Sequence, residues 1–579
     1  GSNLAATRVG PDGLIEKGRE NLFLQSNAFS TSPWYNALGS FSSITSGHSG
    51  YDGSNNAWLI SKTSNGGQIY QNQSYSGVST YSVYAKPSAS NWILLVVSTS
   101  TEFQYAYIDI SNGSIGTNEF FIDVSIADVG NGWYRCSVVT SGNNITRLRI
   151  YPAEGNSNVN GTGSIYIQDA QLESGLAATE PIESGASTGK AGVLEDEPRL
   201  DYSGGASCPS LLLEPQRTNF VTDSEYFAGI NLYGSVSATY GAYTNPSGND
   251  SAYLLDATSA ISRIQTLSSS GDGNDAVMSI FIKGNSNVSY PTLANQNGGQ
   301  SARWEFDANN VLTYYDGDAT SGNYGQEDYG NGWYRIWLKT DTVNGNTNYY
   351  RFNPDNRYGT GSLYAWGFQV EKNSSYPTSY IPTYGSSVTR GADVCEDAGD
   401  VNTFNSIEGV LYAEISGLAN GGVDRSIALS DGSTSNYLRI TLHANSNRIA
   451  FFSSAGVNYN NFDFSQTDNL KIAFQYKAND WKVYINGVLK TQLSALTFSP
   501  NTLSDLSFNL SNFTPFYGNV NQVLYFPIAL TDSELTELTI NGIKEELITA
   551  YKKRATTLEE GASERLDTYL QSLEDFIII

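Results

Sequence analysis

The feature that most constrains the fold of this 579-residue sequence is an internal repeat. The string "GNGWYR" occurs at 130–135 and again at 330–335. Three more pairs lie around it: "ENLFLQSNAF" with "RTNFVTDSEYF", "YSVYAKPSASN" with "MSIFIKGNSN", and "GTGSIYIQDAQLE" with "GTGSLYAWGFQVE". The two members of each pair lie about 200 residues apart, so the copies are collinear. Each copy spans about 160 to 170 residues. The repeat predicts two domains of one fold.

Hydrophobic periodicity predicts the class of that fold. Within each copy apolar residues alternate with polar ones, as at Tyr81, Val83 and Ala85, in runs bounded by Asn, Gly, Ser and Pro. Aromatic residues make up 12% of the chain and charged residues only 15%, which suits half-buried strands joined by turns. We predict a mainly β protein with three β-sandwich, jelly-roll-like domains in tandem, two of them the internal repeat, plus a C-terminal α-helical segment.

Changes in pattern along the chain predict seven segments. They are a connector at 1–19, the first repeat sandwich at 20–182, a connector or hairpin arm at 183–217, the second repeat sandwich at 218–388, a linker at 389–406, a third sandwich at 407–530, and a helix at 531–579. Thr531 or Asp532 is the expected N-cap. Leucines then recur from Leu535 onward in an imperfect heptad, so this helix either packs on its own domain or forms a subunit contact.

The repeated string itself is interpreted as structural rather than catalytic. Its "NG" predicts a tight turn, and the following residues predict the start of a strand. We expect Trp133 and Trp333 to face the core, with Arg135 and Arg335 on the same side as stacked or paired arginines. A residue set found at the same place in both copies is most simply explained by packing.

Charge and composition argue against several classes of function. The formal net charge of −25 disfavours a nucleic-acid partner, and no apolar run is long enough to insert in a membrane. Cys136, Cys208 and Cys395 are widely spaced, and His48 and His443 are the only histidines. This argues against a disulfide framework and against a zinc or haem site.

Sequence motifs for catalysis are absent. A serine triad needs a histidine base, and His48 and His443 are interpreted as surface or hydrogen-bonded residues. No GxSxG, P-loop or HExxH string occurs, and no recognisable pair of glycosidase carboxylates stands out. We therefore expect no enzyme activity.

Sugar binding remains compatible with the composition. A pyranose ring stacks on an exposed aromatic side chain, beside polar groups that bind its hydroxyls. The better candidates are the tryptophans that have no tryptophan counterpart in the other copy. The predicted carbohydrate-binding residues are Trp34, Tyr35, Trp92, Trp304 and Trp366.

Several stretches resemble those of tailed-bacteriophage virion proteins, especially tail-fibre and receptor-binding proteins. They are "GSNLAATRVGPDGLIEKGRENLFLQSNAF", "EPRLDYSGGASCPSLLLEPQRTNF", "NGWYR", "GTGSIYIQDAQLE" and "TSYIPTYGSSVTRGADV". In that group such stretches surround sandwiches similar to carbohydrate-binding modules. The third unit resembles a concanavalin A-like or laminin G-like sandwich through "DWKVYINGVLK" and "GNVNQVLYFPIALTDSELTEL". The resemblance also implies that 1–19 continues an upstream region that is missing here.

The resemblance implies a virion-surface protein that binds host cell-surface glycans, with a purely structural virion component as the alternative and a glycan-degrading enzyme as the third hypothesis. Expected partners are a bacterial glycan, other virion proteins, and further copies of the chain in a homo-oligomer, with a trimer favoured. The expected location is the phage particle, with host cytoplasm during assembly. The resemblance implies no definite cofactor and makes calcium the one candidate, because similar modules often hold it through oxygen ligands. Loops 270–275 and 315–322 carry suitable oxygen atoms, but so do ordinary Asp-Gly turns, which is the interpretation the sequence favours.

Overall fold

The computed structural model describes residues 4–36, 41–141, 144–268, 274–297, 299–342, 347–510 and 515–542. Within these ranges the chain is built of antiparallel sheets and one α-helix, α1, at Asp532–Asn541. The predicted mainly β class is confirmed. The chain divides into two compact units, one of residues 1–8, 14–197 and 218–390, the other of residues 9–13, 198–217 and 391–579.

The first repeat copy is a sandwich of two six-stranded sheets, in the orders β12-β13-β8-β15-β6-β5 and β11-β10-β9-β14-β7-β4. The strands of this part of the chain are β1 Thr7–Val9, β2 Ile15–Lys17, β3 Arg19–Asn21, β4 Tyr35–Asn36, β5 Phe41–His48, β6 Ala57–Lys62, β7 Ile69–Tyr75, β8 Ser79–Pro87, β9 Trp92–Thr99, β10 Phe103–Asp109, β11 Ser114–Glu119, β12 Asp123–Gly130, β13 Trp133–Thr140, β14 Ile145–Ala153 and β15 Gly163–Ser174.

The second repeat copy has sheets in the orders β21-β22-β31-β24-β29-β28 and β20-β23-β30-β25-β26-β27, with β19 and β32 joined at β31. Its strands, with those that precede it, are β16 Gly189–Ala191, β17 Leu200–Asp201, β18 Ser210–Leu213, β19 Arg217–Asn219, β20 Asn231–Tyr233, β21 Val236–Tyr243, β22 Ala252–Ala257, β23 Arg263–Ser268, β24 Asp275–Gly284, β25 Thr292–Asn295, β26 Gln300–Phe306, β27 Leu312–Gly317, β28 Tyr324–Asp328, β29 Trp333–Asp341, β30 Asn348–Asn353, β31 Ser362–Lys372 and β32 Val388–Arg390.

The two copies match strand for strand. Twelve strands of the first copy occupy the same places in the two sheet orders as twelve strands of the second, so that β14 corresponds to β30 and β9 to β25. Tyr81, Val83 and Ala85 are fully buried in the first core, as their alternation predicts. The "NG" turns are also confirmed, because Asn131 and Asn331 both have positive φ, 55° and 51°.

A buried asparagine closes each copy in the same way. Asn21 donates through Nδ2 to the carbonyl of Ile182 at 2.8 Å, and Asn219 donates to the carbonyl of Ile381 at 2.9 Å. Each Oδ1 accepts two backbone N–H groups at 3.1 Å. These bonds tie the first and last segments of each copy to one strand, β15 in the first copy and β31 in the second. A buried polar group of this kind is costly to leave unpaired. The matching "ENLF" and "RTNF" stretches are therefore explained by structure.

The third sandwich has a seven-stranded sheet in the order β17-β18-β42-β33-β38-β39-β40 and a five-stranded sheet in the order β37-β36-β35-β34-β41. Its remaining strands are β33 Glu408–Gly417, β34 Arg425–Ser430, β35 Tyr437–Leu442, β36 Arg448–Ser453, β37 Asn458–Asp463, β38 Leu470–Lys477, β39 Trp481–Ile485, β40 Val488–Leu493, β41 Asp505–Ser507 and β42 Gly518–Phe526. The hairpin β17–β18, from the segment predicted as an arm, extends the larger sheet.

Helix α1 begins at the predicted cap. Thr531 accepts the backbone N–H of Glu534, and the Glu534 carboxylate accepts the N–H of Thr531, which makes a capping box. Leu535 and Leu538 are fully buried against the outer side of the larger sheet, beside Tyr412. The part of the predicted helix beyond 542, with most of the heptad leucines, lies outside the described residues.

Candidate functional site

The outer face of sheet β11-β10-β9-β14-β7-β4, which we call the first aromatic face, carries a row of side chains across all six strands. Direct pairing partners place six residues in that row: Tyr35, Tyr70, Arg149, Val96, Tyr105 and Glu119. Because neighbouring strands lie about 4.8 Å apart, the row is about 24 Å long. It is long enough for an extended chain ligand to lie across the sheet.

Aromatic rings and guanidinium groups stack along this face. The rings of Tyr35 and Tyr70 lie 5.3 Å apart and 21° from parallel. The guanidinium of Arg147 lies 4.2 Å from the Tyr70 ring centre, and that of Arg149 lies 5.3 Å from the Phe103 ring centre. Tyr35 is 45% exposed and Phe103 is 62% exposed, so these rings are accessible. Stacked neighbours hold them in place without covering them.

The middle of the face is a shallow apolar floor with polar groups at one end. Leu94 and Val96 are buried beneath the rings of Tyr105 and Tyr107, which meet edge to face at 6.1 Å. At the end of the row the carboxylate of Glu119 lies beside the Tyr105 hydroxyl. The hydrogen bond to Glu119 raises the pKa of the Tyr105 hydroxyl. Burial and the negative charge of Glu119 raise it further. The face thus combines ring platforms with an acceptor for a ligand hydroxyl.

The corresponding face of the second copy, the second aromatic face, has a similar composition. Tyr233 is 51% exposed, and the guanidinium of Arg263 stacks over it at 3.7 Å from the ring centre. Gln265 accepts from both Arg263, at 3.2 Å, and Arg351, at 2.9 Å. Arg351 occupies on β30 the place of Arg149 on β14, and each is followed three residues later by a proline.

Three of the predicted sugar-binding tryptophans lie inside the protein, which corrects that part of the prediction. Trp34 is 6% exposed and packs between Phe23 and Phe29. Trp304 and Trp366 are 0% and 1% exposed. Their ring faces are covered by neighbouring side chains and cannot stack on a ligand, because a lone tryptophan fills core volume as readily as it forms a platform.

The other two predicted residues lie on the first aromatic face. Tyr35 begins the row described above. Trp92 is half-buried, and its backbone pairs with Asp109 and Ala153. Its ring lies so close to Gly116 of β11 that a Cβ atom on residue 116 would be only 2.6 Å from Cζ3 of the tryptophan. Sugar binding by Tyr35 and Trp92 remains a prediction.

The repeated tryptophans are buried, but not in the main cores that were expected to receive them. Cys136 and Val138 face the main core of the first copy, so Trp133 points to the other side of β13, into a smaller cluster with Tyr84. Trp333 likewise joins a smaller cluster with Phe281, Trp366 and Tyr380. Strand alternation fixes this outcome once the register is known.

The arginines of the repeated string lie against aromatic rings. The guanidinium of Arg135 lies 5.3 Å from the Tyr84 ring centre, and that of Arg335 lies 5.4 Å from the Phe281 ring centre. Arg335 also donates to the Ser279 hydroxyl at 3.0 Å. These contacts hold Arg335 in the interior and the half-buried Arg135 against its neighbours, consistent with a packing role.

Sequence reasoning missed the rest of the first aromatic face. Tyr70, Arg149, Tyr105 and Glu119 come from four different strands and are brought together only by register. One signal was present in the sequence: the spacing Arg-x-x-Pro at Arg149 and at Arg351, outside the strings used to define the repeat. A shared arginine on an exposed strand face would have pointed to this surface.

Glu119 and Asp109 of the first aromatic face occupy strand positions that are farther apart than the two carboxyl groups of a glycosidase. Glu119 is opposite Tyr105 and Asp109 is opposite Ser114, so four residues along β10, or about 13 Å, separate the two positions. Glycosidase pairs lie about 5 to 10 Å apart. Burial would raise the pKa of Asp109, but hydrogen bonds from Ser111 and Asn112 outweigh it and lower the pKa. This carboxylate shapes its own turn.

The histidines make local hydrogen bonds, and the cysteines differ in their burial. His48 is hydrogen-bonded to the Thr45 hydroxyl at 3.1 Å, and His443 accepts the N–H of Asn445 at 3.0 Å. Cys136 is buried, and burial raises the pKa of its thiol, whereas Cys208 is exposed. None of these contacts resembles an activated nucleophile.

The two loops predicted to carry calcium ligands are described to different extents. Residues 270–273 of the first loop lie outside the described residues. In the second loop Asp316 pairs with Arg303 at 2.7 Å, and Asp318 accepts the Ser301 hydroxyl at 3.1 Å. Among the described ranges no group of three or more His, Cys, Asp or Glu side chains could hold a metal ion. Calcium stays a prediction. No helix in the described part of the chain is long and apolar enough to cross a membrane.

Comparisons with known proteins came back as follows. No protein-family model matches the chain, and no curated protein matches it. Among solved structures, a CBM22-1–CBM22-2 tandem from Paenibacillus barcinonensis Xyn10C is 11% identical and covers 61% of this chain and 97% of its own, with a TM-score of 0.20. Domains LG4-5 of the mouse laminin alpha1 chain are 10% identical and cover 51% and 89%, with a TM-score of 0.17. A Trypanosoma rangeli sialidase bound to 2,3-difluorosialic acid is 10% identical and covers 92% and 93%, with a TM-score of 0.21. At these TM-scores the likenesses carry no argument about this chain.

Proposed function

We propose that this protein binds glycans through the first aromatic face. The observation that carries the proposal is the row from Tyr35 to Glu119, which runs in register across six strands with exposed rings at one end and a carboxylate at the other. A sugar ring has apolar C–H faces and hydroxyl edges. Tyr35 and Tyr105 suit the faces, while Arg149 and Glu119 suit the hydroxyls.

The shape of the face favours a chain of sugars over a single one. It is open and shallow, and about 24 Å of strand spacing separates its two ends. Each ring platform contributes a modest amount, so affinity would come from several sugars bound at once, and from several copies of the chain if it assembles. Such a surface fits adhesion to a polysaccharide-coated surface.

We further propose that the adhesion takes place between a bacteriophage particle and its host. The support is the resemblance of "GTGSIYIQDAQLE", "TSYIPTYGSSVTRGADV" and the neighbouring stretches to tail-fibre and receptor-binding proteins. In this proposal the repeat sandwiches recognise the bacterial surface glycan, and other virion proteins and further copies of the chain hold them in place.

The direct test is binding of the purified chain to a glycan array and to intact bacterial cells. We expect Tyr35→Ala and Tyr105→Ala each to weaken binding about 5- to 150-fold, since one aromatic contact contributes about 1 to 3 kcal/mol with its buried area. The matched control is Leu496→Ala, which truncates a 76% exposed side chain of the third sandwich. It should leave binding unchanged.

A folded protein that binds no glycan and no cells would contradict this proposal. That result would favour the purely structural role in a virion, which a search for binding to other virion proteins would then examine. Hydrolysis of a bound glycan by the purified chain would instead favour the enzyme hypothesis. Circular dichroism of each variant shows whether the sandwich is intact.

A further inference from the structure

Both aromatic faces carry a pair of arginines in a protein with a large excess of acidic residues. The chain has 57 Asp and Glu against 32 Lys and Arg. Even so, no carboxylate forms an ion pair with Arg147 or Arg149 among the pairs found in the described residues. Their hydrogen bonds go to neutral groups: Arg147 donates to Asn72 at 2.9 Å and Arg149 to the Ser98 hydroxyl at 2.6 Å.

This arrangement leaves the positive charge facing aromatic rings and neutral hydrogen-bond partners, with no carboxylate paired to it among the described residues. Arg149 is half-buried, and burial lowers the pKa of its guanidinium; Tyr151 opposes this shift, and the like charge of Arg147 adds to it. A guanidinium still remains protonated at any ordinary pH, so the cost appears as unfavourable electrostatic energy. An anion bound here would reduce that cost, because it would supply both the opposite charge and acceptors for the guanidinium N–H groups.

The second copy repeats the arrangement with different residues. Arg263 and Arg351 both donate to Gln265, which is neutral. Burial, followed by the like charge of Arg263, lowers the pKa of Arg351. In the described part of the chain neither of these arginines takes part in an ion pair either. Only Arg351 corresponds in position to Arg149, so the second arginine of each pair arises on a different strand, β14 in one copy and β23 in the other.

We propose that the two aromatic faces select acidic glycans, in which a carboxylate, sulfate or phosphate on the sugar is held by Arg149 in the first copy and by Arg351 in the second. The planar guanidinium presents paired N–H donors that match an oxyanion, and the stacked rings of Tyr70, Phe103 and Tyr233 flank the position of the sugar. This inference rests on the proposed glycan binding and specifies its ligand class.

The test uses the full chain and matched pairs of probes in calorimetric titrations. The acidic probes are oligogalacturonides, alginate oligosaccharides, sialyllactose and heparin oligosaccharides. Their partners are the carboxyl-reduced or desulfated forms of the same molecules. The variants are Arg149→Gln, Arg351→Gln and the double substitution, with Arg149→Lys to keep the charge without the planar fork. The control is Arg8→Gln, because Arg8 already pairs with Glu16 at 2.7 Å.

We expect at least one acidic probe to bind at least about tenfold more tightly than its neutral partner, since hydrogen bonds to charged groups are worth more than neutral ones. Arg149→Gln should lower the affinity for the acidic probe about tenfold at the first aromatic face only, and Arg351→Gln should do so at the second aromatic face only. The double variant should therefore abolish the preference at both faces, and Arg8→Gln should not change it. Preferential binding of the sulfated probes would identify sulfate as the oxyanion. Preferential binding of the carboxylated probes would identify a carboxylate.

Two results would overturn the inference and are distinguishable from failure of glycan binding itself. Neutral partners that bind as tightly as the acids, with Tyr35→Ala still weakening both, would leave the glycan site in place and remove the acidic preference. Acid binding unchanged in the double arginine variant would do the same. If a folded chain binds none of the probes and none of the neutral glycans on the array, both proposals are wrong.

Discussion

Asp169 lies at a position where the backbone of both repeat copies is left-handed. It has a φ of 49°, and the corresponding position in the second copy is Gly367, with a φ of 66°. Both lie where the central strand of the copy bulges, at β15 and β31. Only residues that tolerate left-handed backbone fit such a place. In the first copy the aspartate side chain also accepts a hydrogen bond from the Tyr51 hydroxyl at 2.9 Å.

The charge of Asp169 should make the first sandwich less stable as pH rises. Burial raises the pKa of its carboxyl, and the charges of Asp52 and Glu183 add to this, while the Tyr51 hydrogen bond opposes it. Since the folded pKa is above the unfolded one, the unfolded state loses its proton first. Stability is highest below the unfolded pKa and falls as pH rises through the folded pKa.

The Asp169→Asn variant removes this titration and still tolerates the left-handed backbone. We therefore expect its melting temperature, relative to the wild-type protein, to rise between about pH 3 and pH 7 in calorimetric scans. Asp109→Asn is the control of opposite sign, because the pKa of Asp109 is lowered and its charge stabilises the fold at neutral pH. A constant difference for Asp169→Asn across this range would show that the carboxylate is not penalised by burial.

At the scale of single elements, strands and turns were predictable because each depends on a short stretch of sequence. The alternation at Tyr81, Val83 and Ala85 and the positive φ of Asn131 follow from neighbours a few residues away. The side of the sheet on which Trp133 lies did not follow, because strands with both faces buried give no polar side to orient the pattern. The sequence reported burial correctly and direction wrongly.

Helix α1 offers a prediction at the same scale. Thr531→Ala removes the hydroxyl that accepts the N–H of Glu534, which should cost about 1 kcal/mol of helix stability. Amide exchange in 535–541 should then speed up about fivefold, measured by mass spectrometry. Thr536→Ala is the control: its hydroxyl donates to the Asp532 carbonyl inside the helix, and alanine favours helix, so exchange should stay equal or slow. Equal exchange in Thr531→Ala and the wild-type protein would contradict a stabilising cap.

At the scale of the whole molecule, the candidate site was the least predictable feature. Tyr35 and Tyr105 are 70 positions apart in the sequence, and β7, β14 and β9 must lie between them in order before they share a row. Copying of the module was visible in the sequence, but the exposed faces of the copies differ, as Tyr70 and Gln265 show at equivalent pairings. The repeated strings thus mark what the fold requires, whereas the residues of the aromatic faces are only partly shared between the copies, with Arg149 and Arg351 equivalent and Tyr70 and Gln265 different.

The net charge of −25 and the arginines of the aromatic faces act in opposite directions on the proposed acidic ligand. The net charge repels it at long range, and the arginines attract it at short range. At about 0.01 M salt the Debye length is about 30 Å, so a polyanion approaching either face is repelled by acidic residues across the molecule. At about 0.15 M salt that length falls to about 8 Å, and the repulsion is screened before the ligand arrives. Contacts with Arg149 and Arg351 act at closer range and are screened less.

Association of an acidic oligosaccharide should therefore become faster as salt rises over this range, while dissociation also becomes faster. Surface plasmon resonance over a series of NaCl concentrations gives both rate constants, with the carboxyl-reduced partner as the neutral control whose association should not change. Arg149→Gln should raise the dissociation rate at every salt concentration. An association rate that falls as salt rises would mean that the arginine pairs steer the ligand from a distance, and that local charge outweighs the charge of the whole chain even before contact.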